Sequence, residues 1–218
     1  MPPLPPPLPP AERTVGQLVA ESMRLYGRRF WPSLALGIPP SILNLLARTL
    51  DNDVLIFVVP LAGGVLLSAS YLGAVALAAD RPVRVWQPLL AGLLVFLPFP
   101  ILAGRFFILP GLAWLAAFGL VVPVLALERV GFRFAFLRAY KLARADFVHA
   151  LGSLATLAIL VVVSQSGLFF LLRGTSDQTL AIASFVASLV VSPLLFLGSA
   201  LLYFDQEARD NAKRVPRR

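Results

Sequence analysis

The sequence predicts an all-α polytopic membrane protein with about six transmembrane helices and two amphipathic helices on the cytoplasmic side. Hydrophobic residues make up 58% of the 218 positions and charged residues only 14%, with a mean hydropathy of +0.82. A soluble domain contains about 25% charged residues, so this chain lacks the polar surface that would cover it in water. The apolar residues form long runs, and the basic residues gather in the short connections between them.

Six apolar runs have lengths close to that of a membrane-crossing helix. About 20 residues, each rising about 1.5 Å, cross a hydrocarbon core about 30 Å thick. The runs lack the alternation of barrel strands, so helices are predicted. The third run is short and carries Pro98 and Pro100, so it is either a bent span or one arm of a hairpin with the fourth. The predicted spans are residues 30–50, 54–79, 88–104, 106–127, 147–172 and 179–204, which together form a transmembrane domain over 30–204.

The distribution of basic residues predicts the orientation, because cytoplasmic connections are enriched in Lys and Arg. With both termini in the cytoplasm, 16 of the 19 Lys and Arg residues fall inside, and only Arg48, Arg105 and Arg173 fall outside. The sequence therefore predicts a multi-pass protein of the cell (inner) membrane with cytoplasmic N- and C-termini. The aromatic residues near the predicted inner boundary are Tyr26, Trp31, Trp86, Tyr140 and Tyr203.

Both ends of the chain are predicted to lie outside the bilayer. Residues 1–11 are rich in proline, which is typical of an extended, disordered tail. Residues 205–218 are predicted to be a basic cytoplasmic tail. Asp205 and Glu207 are expected at the end of the last span, and we hypothesise that they pair with basic residues of segment 129–144.

Two segments have the pattern of amphipathic helices. In residues 12–29, the polar side contains Arg13, Gln17, Glu21, Arg24 and Arg28. Thr14 and Gln17 have the spacing of a capping box at the start of this helix. In residues 131–146, an apolar stripe that includes Phe132, Phe136, Ala139, Tyr140 and Ala143 lies opposite Arg133, Arg138, Lys141 and Arg144, while Phe134 and Leu137 interrupt the basic side.

Membrane phospholipids are the predicted partners of these two helices. An apolar stripe buried at the headgroup boundary places Arg and Lys near lipid phosphates, at about 1 kcal/mol for each basic residue. The predicted anionic-lipid contacts are Arg24, Arg28, Arg29, Arg133, Arg138, Lys141 and Arg144. No nucleic-acid partner is expected, because the basic residues occupy several short connections and form no long continuous face.

Few polar side chains fall within the predicted spans. The candidates are Asn44, Tyr71, Ser164, Gln165 and Ser166. Such residues form functional sites or link helices by hydrogen bonds of about 0.6–2 kcal/mol each, and packing is the favoured interpretation. The chain has one histidine, His149, and no cysteine, so no catalytic, cofactor or metal site is predicted and the protein is not expected to be an enzyme.

Three segments resemble a known bacterial membrane family. They read "VGQLVAESMRLYGRRFWPSL", "FILPGLAWLAAFGLVVPVLALERVGFRFAFLRAYKLARADF" and "SPLLFLGSALLYFDQEAR". They are similar to the opening, central and terminal signatures of the glycerophosphoryl diester phosphodiesterase membrane-domain family and related six-span proteins, over about residues 14 to 209. The resemblance implies a six-helix membrane domain, which in some relatives is joined to a catalytic barrel that these 218 residues do not include.

Two functions are compatible with this composition and this resemblance. The first is a lipid-associated scaffold or lipid-handling membrane domain, which uses the basic cytoplasmic surface. The alternative is a small-molecule or lipid-precursor transporter that uses proline-kinked spans. Either function is compatible with a homo-oligomer.

Overall fold

The computed structural model describes residues 9–49, 52–100, 102 and 108–214, and every regular element in that part of the chain is helical. A 3-10 turn at Pro10–Glu12 precedes the first α-helix. The α-helices are α1 (Val15–Arg28), α2 (Phe30–Ala35), α3 (Ile38–Thr49), α4 (Asn52–Ala79), α5 (Trp86–Phe96), α6 (Ile108–Phe118), α7 (Val121–Leu127), α8 (Phe132–Ala143), α9 (Phe147–Leu171) and α10 (Asp177–Arg214).

Five helical stretches are long and apolar enough to cross a membrane. They are Phe30–Ala47, Pro60–Ala79, Ile108–Leu127, Phe147–Leu171 and Asp177–Arg214. The prediction of an all-helical protein with several candidate membrane spans is confirmed.

The predicted third span, 88–104, corresponds to the shorter helix α5. This helix has 11 residues and ends at Phe96, which is well below the length that crosses a bilayer. Residues 101 and 103–107, where this span or a hairpin with the fourth was expected, lie outside the described residues. A sixth span therefore stays a prediction.

Two predicted spans are interrupted at positions that proline explains. Proline cannot donate to the carbonyl four residues earlier, and its ring clashes with that carbonyl. The first predicted span breaks between α2 and α3, four residues before Pro40, and the fourth breaks between α6 and α7, four residues before Pro123. By contrast, Pro60 and Pro193 lie inside the continuous helices α4 and α10.

Helix α10 is the central element, since it packs against α1, α2, α3, α4, α8 and α9. The closest approach is at Gly37, where an added Cβ would lie 2.0 Å from the carbonyl oxygen of Leu189. Pro193 leaves this same carbonyl without its usual N–H partner. The break between α2 and α3 therefore fits against the proline site of α10, and only glycine allows that contact.

Helix α1 packs on the bundle through its apolar side. The predicted capping box is confirmed, since Thr14 Oγ1 accepts from the Gln17 N–H and Gln17 Oε1 accepts from the Thr14 N–H. Leu18 and Ser22 are fully buried against α9 and α10, and Ser22 faces Gly198. Much of the stripe that was expected to enter the headgroup boundary is thus covered by protein.

Helix α10 extends into the segment that was predicted as a C-terminal tail. The last span was expected to end at residue 204, but α10 continues without a break to Arg214. Asp205, Gln206 and Asp210 are buried in this continuation. The segment predicted as a tail therefore begins as packed helix, because its polar side chains have partners on neighbouring elements.

Candidate functional site

Charged side chains gather at one end of the bundle, which we call the polar end. It contains Arg13 before α1, Asp80 after α4, Glu128 after α7, Asp146 before α9 and the last turns of α10 from residue 203. Four arginines pair here with acidic residues of other elements, and these pairs hold the helix ends together.

The most deeply buried charge at the polar end is Asp205. Its side chain is fully buried, and its Oδ1 lies 3.0 Å from Arg13 Nη1. Its Oδ2 lies 3.6 Å from His149 Nε2, and neither of these two atoms has a hydrogen-bond partner among the described residues. The hypothesis that Asp205 pairs with segment 129–144 is therefore wrong, because Asp205 lies on the face of α10 that is turned toward α1 and α9.

From the end of α10, Asp210 forms an ion pair with segment 129–144. Its Oδ2 lies 2.8 Å from Arg138 Nη1, and Glu128 Oε2 lies 3.3 Å from Arg138 Nε. Tyr203 donates to Glu128 Oε1 at 3.0 Å. Positions 205 and 210 are about 140° apart around a helix that turns about 100° per residue, so the two acidic residues face different neighbours.

These contacts place Arg138 in ion pairs with residues of its own chain. Burial alone would lower the pKa of Arg138, but the hydrogen bond to Asp210 and the charges of Glu128 and Asp210 outweigh this effect and raise the pKa above its ordinary value. Only 22% of the side chain is exposed. Of the predicted lipid contacts, Arg138 is thus the one whose guanidinium lies between two carboxylates of its own chain.

A second set of contacts fixes the start of α9. Asp146 caps the helix by accepting from the His149 N–H at 3.0 Å and pairs with Arg209 Nη1. The Gln206 amide bonds the backbone of Asp146 twice, accepting from its N–H at 3.1 Å and donating to its carbonyl at 2.9 Å. Sequence reasoning missed the role of Gln206. Asp146 immediately before an apolar run is a recognisable N-cap signal.

The other predicted lipid contacts lie nearer the surface. Arg24 pairs with Glu21 one helical turn away, and Arg29 pairs with the exposed Asp80. The remaining four are Arg28, Arg133, Lys141 and Arg144, and all four are exposed.

Helix α8 presents a mixed outer face. Phe134 and Leu137 are 70% and 68% exposed, beside the exposed Arg133, Lys141 and Arg144. The inner face consists of small and aliphatic residues, namely Ala135, Ala139, Leu142 and Ala143. The two residues that interrupt the basic side in the sequence are therefore the apolar part of the outer face.

A polar pocket lies in the half of the bundle away from the polar end. It has a volume of about 560 Å³ between α3, α9 and α10. Asn44, Gln165, Ser166, Ser184 and Ser188 supply its polar lining, and Phe and Leu side chains complete it. The Gln165 side chain is half-buried at the wall of this pocket. Amide and hydroxyl groups in this arrangement can bind a neutral polar group.

The structure thus brings three of the five predicted intramembrane candidates together. Ser164 is exposed and does not line the polar pocket. Tyr71 lies elsewhere, donates to the Ser199 carbonyl at 3.3 Å and borders an apolar cavity of about 80 Å³. That volume is below the roughly 150 Å³ that accommodates benzene. Sequence reasoning missed Ser184 and Ser188, although their four-residue spacing could have placed them on one helix face.

The described residues contain no group of three His, Asp or Glu side chains arranged to hold a metal ion. Comparison with protein-family models, curated proteins and solved structures gives no significant match to this chain. The resemblance to the glycerophosphoryl diester phosphodiesterase membrane-domain family therefore stays a prediction.

Proposed function

We propose that this chain is a six-span protein of the inner membrane whose polar end faces the cytoplasm and binds anionic phospholipid, in the role of a lipid-associated scaffold. The outer face of α8 carries the proposal. Exposed Phe134 and Leu137 can enter the headgroup boundary, while Arg133, Lys141 and Arg144 beside them meet lipid phosphates. Large exposed apolar side chains of this kind are costly in water and favourable at a lipid surface.

The proposed membrane orientation also depends on the basic residues of the polar end. The polar end contains the exposed basic residues of α8 and the end of α1, whereas the turn after α9 contributes only Arg173 to the opposite end. Exposed Trp31 and Trp86 lie beside α1 and at the start of α5, where interfacial aromatic residues are favourable. The basic residues support a cytoplasmic polar end, and the tryptophans support its position at a membrane interface.

Removal of basic residues from α8 is expected to weaken the binding of anionic lipid. At about 1 kcal/mol per charge, Arg133→Gln should lower the affinity for phosphatidylglycerol about fivefold. The triple variant Arg133→Gln, Lys141→Gln, Arg144→Gln should lower it about a hundredfold. The measurement is the thermal unfolding midpoint of the detergent-purified protein during titration with phosphatidylglycerol or phosphatidylcholine.

The matched control is Arg173→Gln, which removes one exposed arginine from the opposite end. It should leave the phosphatidylglycerol response unchanged. Equal stabilisation by the two lipids, or a full response in the triple variant, would show that α8 does not bind anionic headgroups.

The polar pocket favours a second function, the transport of a small neutral solute. Amide and hydroxyl groups that line a pocket at hydrocarbon depth would supply the hydrogen bonds that a neutral solute loses when it leaves water. Gln165→Leu should therefore reduce uptake of the transported solute into proteoliposomes by at least about tenfold, since one unmade hydrogen bond costs about 1–3 kcal/mol. Ser164→Ala, one residue away and outside the pocket, should transport normally. A panel of neutral polyols and amides that yields no uptake at all would exclude this function for those solutes.

A further inference from the structure

A cleft at the polar end holds three arginines that were not among the predicted lipid contacts. It has a volume of about 380 Å³ and lies between the loop that follows α4 and the residues around the end of α7. Arg81 and Arg84 come from the loop, and Arg129 follows α7. The loop is tied to the other wall, since the Arg84 N–H donates to the Ala126 carbonyl at 3.4 Å.

These three guanidinium groups differ from the other arginines of the polar end in their acidic neighbours. None of them forms an ion pair with a carboxylate in the described part of the chain, in contrast to Arg13, Arg29, Arg138 and Arg209. The acidic residue that lines the cleft, Glu128, already accepts from Arg138 and Tyr203. Glu207 interacts electrostatically with Arg81 without forming an ion pair. The cleft therefore has a surplus of positive charge.

The position of the cleft indicates the depth at which its ligand lies. Val85 and Trp86 directly follow the loop and are 51% and 78% exposed. An exposed tryptophan at the start of an apolar helix is favourable at the level of the lipid headgroups. In the proposed membrane orientation, the neighbouring Arg81 and Arg84 therefore lie near the level of the lipid phosphates.

We infer that Arg81, Arg84 and Arg129 form a binding site for the phosphate group of an anionic lipid headgroup. Guanidinium groups bind phosphate oxygens through paired, charge-assisted hydrogen bonds, and several arginines in one cleft can hold a doubly charged phosphate monoester. Basic pockets beside membrane helices on the cytoplasmic side bind lipid headgroups in this way. The inference rests on the proposed function, to which it adds a specific site and a ligand class.

The test compares the unaltered 218-residue chain with two variants, each purified in neutral detergent. Phosphatidic acid, phosphatidylcholine and inorganic phosphate are titrated separately while the thermal unfolding midpoint is recorded. Phosphatidic acid should raise the midpoint of the unaltered protein, and the variant Arg81→Gln, Arg84→Gln, Arg129→Gln should bind it at least tenfold more weakly. Arg173→Gln should bind it normally. All three side chains are exposed, so the lipid-free midpoint of the cleft variant should not change.

The outcomes separate this site from the outer face of α8. Undiminished binding of phosphatidic acid by the cleft variant overturns the cleft site, and the proposed function stands if the α8 triple variant still loses phosphatidylglycerol binding. If inorganic phosphate raises the unfolding midpoint as much as phosphatidic acid does at equal concentration, the ligand is a soluble phosphate. This result would overturn the inference that the cleft binds a lipid headgroup. If no anionic lipid shifts the unaltered protein, both the site and the proposed function are overturned.

Discussion

Replacement of Gly37 by alanine is expected to destabilise the bundle strongly, although it adds only one methyl group. The new Cβ would lie 2.0 Å from the carbonyl oxygen and 2.7 Å from the carbonyl carbon of Leu189. These are backbone atoms of the central helix, so no side-chain rotation can relieve the overlap. Overpacking of this kind costs about 3 kcal/mol, and the thermal unfolding midpoint should fall by about 10 °C.

Gly16→Ala is the matched control for this substitution. Gly16 lies within α1, and an added Cβ there meets no atom within 4 Å. Alanine is favoured over glycine in a helix by about 1 kcal/mol, so this variant should be unchanged or slightly more stable. An unchanged midpoint in Gly37→Ala would mean that α2, α3 and α10 do not meet as described.

Asp205→Asn is expected to have the second large effect. The substitution keeps the shape of the side chain but leaves the guanidinium of Arg13, only 15% exposed, without its carboxylate. Breaking a buried ion pair by removing one partner costs about 3–5 kcal/mol, because the remaining charge stays desolvated. The midpoint of thermal unfolding in detergent should therefore fall by about 10 °C.

Two further variants test whether loss of the Arg13–Asp205 ion pair causes the destabilisation of Asp205→Asn. Asp80→Asn removes the carboxylate of an exposed pair with Arg29 and should cost less than about 1 kcal/mol. Asparagine also tolerates the positive φ of 51° at this position. Adding Arg13→Gln to Asp205→Asn should recover part of the lost stability, because the uncompensated charge is then gone. Additive losses would contradict a direct interaction.

The helical segments could be predicted largely from hydropathy, whereas their interruptions could not. Five apolar runs coincide with helical stretches of membrane-crossing length, and the capping box at Thr14 is present as expected. The breaks before Pro40 and Pro123 were not predicted. The presence of proline alone could not predict them, because Pro193 has the same local chemistry and lies in a continuous helix. At Pro193 the freed carbonyl of Leu189 meets Gly37, which is a tertiary contact that no local pattern reveals.

The partners of the charged residues were also beyond sequence reasoning. Asp205 was recognised from the sequence and Asp210 was not, because the choice between Arg13 and Arg138 as partner depends on which side of α10 each neighbour occupies. For the same reason, Asn44 and Gln165 were found as separate candidates. That they line one pocket follows only from the packing of α3 against α9 and α10.

Membrane topology is the most direct test of the proposal that the polar end faces the cytoplasm and α9 crosses the bilayer. The chain has no cysteine, so single substitutions provide unique labelling sites. Lys141→Cys and Arg173→Cys place a thiol at exposed positions on either side of α9. In intact spheroplasts, a membrane-impermeant maleimide should label Arg173→Cys, and it should label Lys141→Cys only after permeabilisation. Labelling of both thiols from the same side, or the reverse pattern, would contradict the proposed orientation.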